Sequence, residues 1–467
     1  MKLAFVGVGD AGTRIVDRLV RAERTSGRSI TNGNVLAFNT DDGGFDGATA
    51  IPAERRVLLG DTHPAVKRRS GSATAETDDI SNRSAEFEEP QTGTTDADDI
   101  DRFGVGGDPD VGATVAKAEL PEIRRALDRI DETEVAATMV VAGLGGGTGS
   151  GVGSVLIKEL NAIYETPVYV LGTLPATDEP DRRALTAARG IRTVVPLADA
   201  VFPVDNNGWR HRSDGPVAER YDTINDTVVT RLLALFGPGE RASDGTSEMR
   251  IDPADIMRTL EIGGLASIGY ETYDVCPDDA GVFARLLRLL GFAEKSDDNV
   301  ADAATVKRLV RRALESTLTL PCDPTSADRV LVILSGPPDA ISRKGFETGR
   351  YLLEEETSTV EVLAGDEPIP SATEITATVV LSNVTDVPRI EALQQRGVEL
   401  LEAAETDTIA PGGNDSPSRP SDGLPVGAAD SSANGQRSTD ESNPDGTTPE
   451  DDSLDHRFEF SGDRGGQ

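Results

Sequence analysis

The residues of this chain best placed to do chemistry are mostly residues without side chains. Ala142 to Gly151 reads AGLGGGTGSG, with six glycines among ten residues, between a strand-like run and a helical one. Backbone without Cβ lets successive N–H groups converge on a polyanion, and the hydroxyls of Thr148 and Ser150 would add donors. No lysine follows, so the pattern is not a P-loop. Gly7 to Gly12 spells G-x-G-x-x-G, the setting in which a helix N-terminus holds phosphate. A tight strand-to-helix turn has the same spelling. A dinucleotide-binding unit would also want an acid closing its second strand, and here Phe38 leads into Asn39 and Thr40. The other constellation is Asp252-Pro253-Ala254-Asp255. Carboxylates at i and i+3 can orient a water and accept its proton. Asp at the N-cap, Pro at the first helical position and Asp at N3 also describe a well-capped helix.

These groups need elements to hold them. Lys2 to Gly9 predicts a strand, and Ala11 to Glu23 a helix with Ile15, Val16, Leu19 and Val20 on one face. Strands are expected at Val35 to Phe38, Ala136 to Val141 and Val168 to Leu174, and helices at Ala113 to Ile130 and Gly151 to Tyr164. Such alternation implies a parallel sheet. A long helix, Arg220 to Phe236, places Ile224, Val228, Leu232 and Leu235 on one face and stops at Gly237-Pro238-Gly239. Tyr221 and Asn225 are neighbours on its surface. Beyond it a second α/β block runs to about Ala404, with strands at Arg329 to Leu334, Val360 to Leu363 and Ala377 to Leu381. The division expected is a nucleotide-binding domain over 1–218, a linking helix over 219–236, a second domain over 237–404 and an acidic tail over 405–467. Residues 61–101, rich in Ser, Thr, Glu and Asp, read as a disordered insertion, and the tail as solvated chain.

The chain has 467 residues and a net charge of −35. That excess argues against duplex nucleic acid or an anionic membrane surface as partner. Arginine supplies 39 of the 46 basic residues and lysine 7, and the acid load suits a cytoplasm of very high salt, where a Debye length of about 3 Å screens self-repulsion. Two cysteines, Cys276 and Cys322, suggest no disulfide framework. With no leader pattern at Met1 and no membrane-length apolar run, a soluble cytoplasmic protein without membrane insertion is expected. The basic triplet Lys67-Arg68-Arg69 suits an acidic partner or a solvated loop. Phe458 and Phe460, near the end of the tail, suit a docking peptide for a protein partner or chance placement.

Gly145 to Gly151, GGGTGSG, resembles the signature of the tubulin/FtsZ superfamily of GTPases, and the resemblance extends over roughly residues 1–404 apart from the insertion. It implies a tubulin/FtsZ-like α/β fold, with a parallel-sheet nucleotide-binding domain joined by a long helix to a second α/β domain. It also implies GTP or GDP with Mg²⁺ as ligand. By the same resemblance the first phosphate loop falls on Gly9, Asp10, Ala11, Gly12 and Thr13, and further nucleotide contacts on Gly145, Gly146, Gly147, Thr148 and Gly149 and on Gly106 and Gly107, in the third nucleotide loop GVGGDPDVG (Gly104 to Gly112). Glu179 and Arg183 would meet the ribose, Asn206 and Asn225 the base, and the Tyr221 ring would stack on guanine. Asp252 and Asp255 would act on the nucleotide of the neighbouring subunit, so that hydrolysis follows assembly of the chain with itself into filaments. LPATDE (Leu174 to Glu179), DNNGW (Asp205 to Trp209) and ALFGPGE (Ala234 to Glu240) are similar to the archaeal branch called CetZ, which implies control of cell shape. Two positions depart from the family pattern. Arg250 stands where asparagine is found in FtsZ-type sequences, and Asp10 where glutamine is usual in CetZ and tubulin. A carboxylate beside phosphates repels them unless a cation intervenes, which suggests that Asp10 helps to hold Mg²⁺. A non-hydrolysing GTP-binding scaffold or regulator is the second expectation, and an NAD-dependent oxidoreductase, resting on Gly7 to Gly12 alone, the third.

Overall fold

Alternation along β1 (Leu3–Val8) decides the first sheet. Leu3 and Phe5 enter one apolar core, and Ala4, Val6 and Val8 the other. A strand buried on both faces belongs to the middle of a parallel sheet. The computed structural model describes residues 1–68, 103–209, 215–238, 251–275, 303–315, 318–338, 340–341, 343–359 and 361–409. In it β1 pairs in parallel with β2 (Val35–Asn39) and with β4 (Ala137–Gly143). β3 (Arg56–Leu58), β5 (Val168–Leu174) and β6 (Ala200–Asp205) complete a six-stranded sheet of order β3-β2-β1-β4-β5-β6. The order reverses between β1 and β4, and a crevice at the carboxyl ends of the strands is the expected ligand site of such a sheet.

Helices cover both faces. α1 (Gly9–Ser26) and α6 (Tyr221–Phe236) pack on the Leu3 and Phe5 side, and α2 (Pro109–Ala118), α3 (Leu120–Leu127), α4 (Gly153–Ile163) and α5 (Asp181–Val194) on the other. The apolar face of α6 is buried, with Ile224, Val228, Leu232 and Leu235 at 0–2% exposure, each contributing about 1.5–3 kcal/mol. α7 (Pro253–Leu260) leads into a second sheet of order β7-β10-β8-β9: β7 (Ala266–Asp274), β8 (Arg329–Gly336), β9 (Val362–Pro368) and β10 (Glu374–Ser382). β10 runs antiparallel to β7 and β8, while β8 and β9 are parallel. Ile268, Leu331, Ile333 and Val380 join the core shared with α6 and α7. Val330, Val332 and Val379 face α8 (Ala303–Glu315) and α9 (Arg343–Thr357). α10 (Pro388–Ile409) ends the described chain.

Several expectations need correction. The helical run Ala113 to Ile130 is two helices, because Pro121 cannot donate a backbone hydrogen bond and the chain turns at Glu119. Three strands went unread. β3 is three residues long, β6 carries Pro203, which an edge strand tolerates, and β7 follows a double glycine. The segment expected to be disordered from Asp61 is folded as far as Arg68: Lys67 exchanges both backbone hydrogen bonds with Gly104 at 2.7 Å, and Val66 packs on the core. α10 runs to Ile409, while the first compact unit of the chain ends at Ala404, where the second domain was expected to end. The rest of the insertion with Arg69, the residue Arg250, and the tail beyond Ile409 with Phe458 and Phe460 lie outside the described residues.

Candidate nucleotide-binding site

The two glycine turns leave adjacent strands at the reversal of strand order and open onto one cleft of about 1070 Å³, its mouth included. Gly9 adopts φ +70°, a left-handed conformation that lets β1 turn at once into α1. After β4, a single π-turn (Thr148–Val152) opens into α4. Gly149 passes so close to the Gly143 carbonyl that a Cβ there would lie 2.2 Å from its oxygen. Both helix N-termini thus direct main-chain N–H groups towards the cleft, the arrangement that favours phosphate.

All the predicted nucleotide contacts except Gly12, Thr13 and Gly106 line this cleft. Gly12 lies against the Val141 carbonyl with no space for a Cβ. Thr13 is fully buried, and its hydroxyl finds no hydrogen-bond partner among the described residues. Gly106 is a turn residue whose carbonyl accepts from Arg182 Nη1 at 3.0 Å. The Ser150 hydroxyl, expected as a ligand donor, turns inward and donates to the Leu144 carbonyl at 2.6 Å. It closes the glycine turn rather than facing the cleft.

At the opposite end the walls are side chains. Glu179 Oε2 pairs with Arg183 Nη1 at 2.8 Å, with side chains 6% and 13% exposed. Glu179 Oε1 accepts from the Ala176 N–H at 2.7 Å and from Asn206 Nδ2 at 3.4 Å. Tyr221 and Asn225 stand one turn apart on α6, and Asn225 is buried. Burial pushes the Tyr221 phenol well above its ordinary range, and the Glu179 carboxylate beside it adds to the shift, so the ring is neutral at physiological pH.

Other lining residues escaped the sequence reading. Asn39 Nδ2 donates to Asp10 Oδ1 at 2.8 Å, and the Thr40 and Thr148 hydroxyls are 2.7 Å apart. Arg14 brings a guanidinium, and Asp41, Phe103 and Val105 close one side. The polar run after β2 was the available signal, since loops at the carboxyl edge of a parallel sheet are where ligands sit.

Asp252 and Asp255 do not line the cleft. They form a reciprocal capping box at the start of α7: Asp252 Oδ1 accepts from the Ala254 N–H at 2.8 Å, and Asp255 Oδ2 from the Asp252 N–H at 3.3 Å. Each keeps a second carboxylate oxygen outside these bonds.

The tubulin/FtsZ family GTPase-domain model matches residues 2–214, and the model of the tubulin-like CetZ C-terminal domain matches residues 214–399. Tubulin-like protein CetZ1 of Haloferax volcanii is 38% identical over 410 residues, which covers 87% of this chain and 94% of the relative. The chain belongs to the CetZ branch of the tubulin/FtsZ family. CetZ1 of Haloferax volcanii, solved as a GDP-bound monomer, superposes with a TM-score of 0.66 at 34% identity, covering 86% of this chain and 100% of that one. CetZ2 of the same organism, solved as a GTPgS-bound protofilament, gives 0.67 at 31% identity, covering 87% and 100%. An FtsZ dimer from M. jannaschii, 19% identical with a TM-score of 0.55 over 81% of this chain and 87% of that one, shares the fold. The two family models meet at residue 214, just ahead of α6, so the helix that carries Tyr221 and Asn225 to the cleft lies in the match to the CetZ C-terminal domain. No described helix is long and apolar enough to cross a membrane.

Proposed function

We propose that this chain binds GTP and GDP in the cleft, assembles end to end with copies of itself, and hydrolyses GTP only where the Asp252 and Asp255 loop of one subunit completes the cleft of the next. The observation that carries the reading is the convergence of both glycine turns, the Glu179–Arg183 pair, Asn206, Tyr221 and Asn225 on one crevice at the sheet's switch point. The backbone N–H groups would hold the phosphates, Asn206 and Asn225 the base edge, and the neutral Tyr221 ring the base face. A carboxylate of the acid pair would orient the attacking water and take up its proton. Placing both acids away from their own subunit's cleft supports hydrolysis in trans. CetZ2, a relative solved as a GTPgS-bound protofilament, supports the assembly. A role in cell shape in the cytoplasm follows from the same kinship.

Magnesium fits the residues present. No cluster of three or more His, Cys, Asp or Glu suited to a metal exists among the described residues, so an ion would depend on the phosphates for most of its oxygens, as Mg²⁺ commonly does. Asp10 would hold it: its carboxylate is at the cleft, with one oxygen steadied by Asn39. When bound, the ion would neutralise phosphate charge beside that carboxylate. Asp10→Gln is expected to weaken the Mg²⁺ dependence of GDP affinity, and an unchanged dependence removes Asp10 from this role.

The deciding experiment is purification in molar KCl and identification of the co-purified nucleotide, followed by light scattering and phosphate release with GTP and a slowly hydrolysed analogue. Asp252→Asn keeps the N-cap, since Asn caps as well as Asp, but removes the charge. It is expected to slow phosphate release by about a hundredfold, with thermal stability and GDP binding unchanged. Because both acids already serve the capping box, unaltered release would reduce Asp252 to its cap, and no release from the parent chain would favour the non-hydrolysing scaffold.

A further inference from the structure

Two irregular segments build the base end of the cleft: the loop after β5, from Leu174 to Glu179, and the turn after β6, from Asp205 to Gly208. They are cross-bonded. The Thr177 N–H and hydroxyl donate to Asn207 Oδ1 at 3.0 and 3.3 Å, and the Asn206 N–H donates to the Leu174 carbonyl at 3.3 Å. These bonds tie the segments to each other and leave their common outer edge to be fixed by something else.

That edge is held from the other domain. Arg389, in the first turn of α10, donates from Nε to Asp205 Oδ1 at 3.0 Å and from Nη2 to the Pro175 carbonyl at 2.5 Å. The Arg389 and Asp205 side chains are 15% and 5% exposed, so the pair is largely shielded from water. The same Asp205 oxygen accepts from the Asn207 N–H at 3.1 Å, the bond that shapes the turn presenting Asn206. Pro175 and Asn206 both line the cleft. One planar guanidinium therefore bridges the two segments, a two-point grip that lysine cannot reproduce. Arg396 on the same helix makes a contrast: its pair with Asp181, at 2.8 Å, is 47% and 58% exposed, and neither residue lines the cleft.

We propose that Arg389 is a positioning residue for the nucleotide base. By clamping Asp205 to the Pro175 carbonyl, a side chain of the C-terminal domain sets the spacing between Asn206 and the opposite wall of the base site, and with it the selectivity for guanine. This rests on the reading of the cleft as a guanine nucleotide site. It implies that the base end of that site is not finished by the GTPase domain alone.

The test uses the full chain in molar KCl, with GDP and with IDP, which lacks the exocyclic amine of guanine, as probes. Arg389→Ala is expected to raise the Kd for GDP about tenfold and to reduce the preference for GDP over IDP severalfold, because small misplacements of contacting groups carry large penalties. Arg389→Lys falls between it and the parent chain, and Arg396→Ala leaves both values within about twofold. An Arg389→Ala protein of reduced thermal stability but unchanged Kd and unchanged GDP-to-IDP ratio overturns the proposal, reducing Arg389 to a structural tie. If the alanine variant does not fold, unchanged values in Arg389→Lys have the same force. Absence of GDP binding in the parent chain instead defeats the nucleotide reading, and this proposal falls with it.

Discussion

The two ends of the cleft are built from different materials. The end proposed to hold phosphate is built largely around main chain: Gly9 in a left-handed turn and Gly149 in contact with the Gly143 carbonyl, with helices α1 and α4 beginning there. The end proposed to hold the base is side chain: a shielded Glu179–Arg183 pair, Asn206, and Tyr221 with Asn225 on α6. Main-chain donors are placed by strand and helix geometry, and at Gly147 and Gly149 they tolerate no added atoms. Side-chain donors are placed by one another, so that a loss at one is felt by its partners. The two ends should therefore fail differently when altered, the first by steric exclusion and the second by loss of a partner.

The largest effect is expected at the phosphate end. A Cβ at Gly149 would stand 2.2 Å from Gly143 O and 3.0 Å from Gly143 C, all backbone atoms that cannot step aside. Gly149→Ala should displace the turn and lower GDP affinity at least about a hundredfold, equivalent to roughly 2.8 kcal/mol. Nucleotide content of the purified protein and a direct titration measure it. Retained affinity would mean that this turn does not grip the ligand.

Arg183→Ala attacks the base end through a partner. It strands the Glu179 carboxylate, 6% exposed in the intact pair, and a buried charge without its partner costs about 3 kcal/mol or more. Denaturant unfolding should show the loss, and GDP affinity should fall by about tenfold as Glu179 releases its hold on Asn206. Stability lost with affinity intact would separate the ion pair from the ligand and break the contrast between the two ends.

This difference in material also explains what could be read without the fold. The glycine turns were legible because a run such as Gly145 to Gly151 has few uses other than bringing backbone to a ligand. The central strands were legible from continuous apolar runs; Val168–Leu174 is observed with the expected bounds. The bond between the Thr40 and Thr148 hydroxyls spans 108 residues of sequence, and that between Asn39 and Asp10 spans 29. Local periodicity carries no information on such meetings, which depend on parallel pairing of β2, β1 and β4. Tyr221, Asn225, Asn206, Glu179 and Arg183 were reached through family resemblance rather than pattern. Arg389 was not reached, because nothing local marks an arginine at a helix start as belonging to a loop 214 residues away. The acid pair lay between these cases. Its capping geometry follows from spacing alone, while its proposed part in hydrolysis was reached through resemblance.

The smallest expected effect is the sharpest check on the phosphate end. If that end is main chain only, its hydroxyls should be dispensable to the ligand, and Ser150, like Thr13, is one that structure and sequence reading treat differently. Its hydroxyl is buried and spent on the Leu144 carbonyl. Ser150→Ala should cost about 1 kcal/mol of stability, the usual worth of such a bond, and leave GDP affinity within about twofold. Paired unfolding and binding titrations on one preparation decide it. Should affinity drop while stability holds, the Ser150 hydroxyl must rotate towards the phosphates when they bind, and the phosphate end would then share the side-chain logic of the base end.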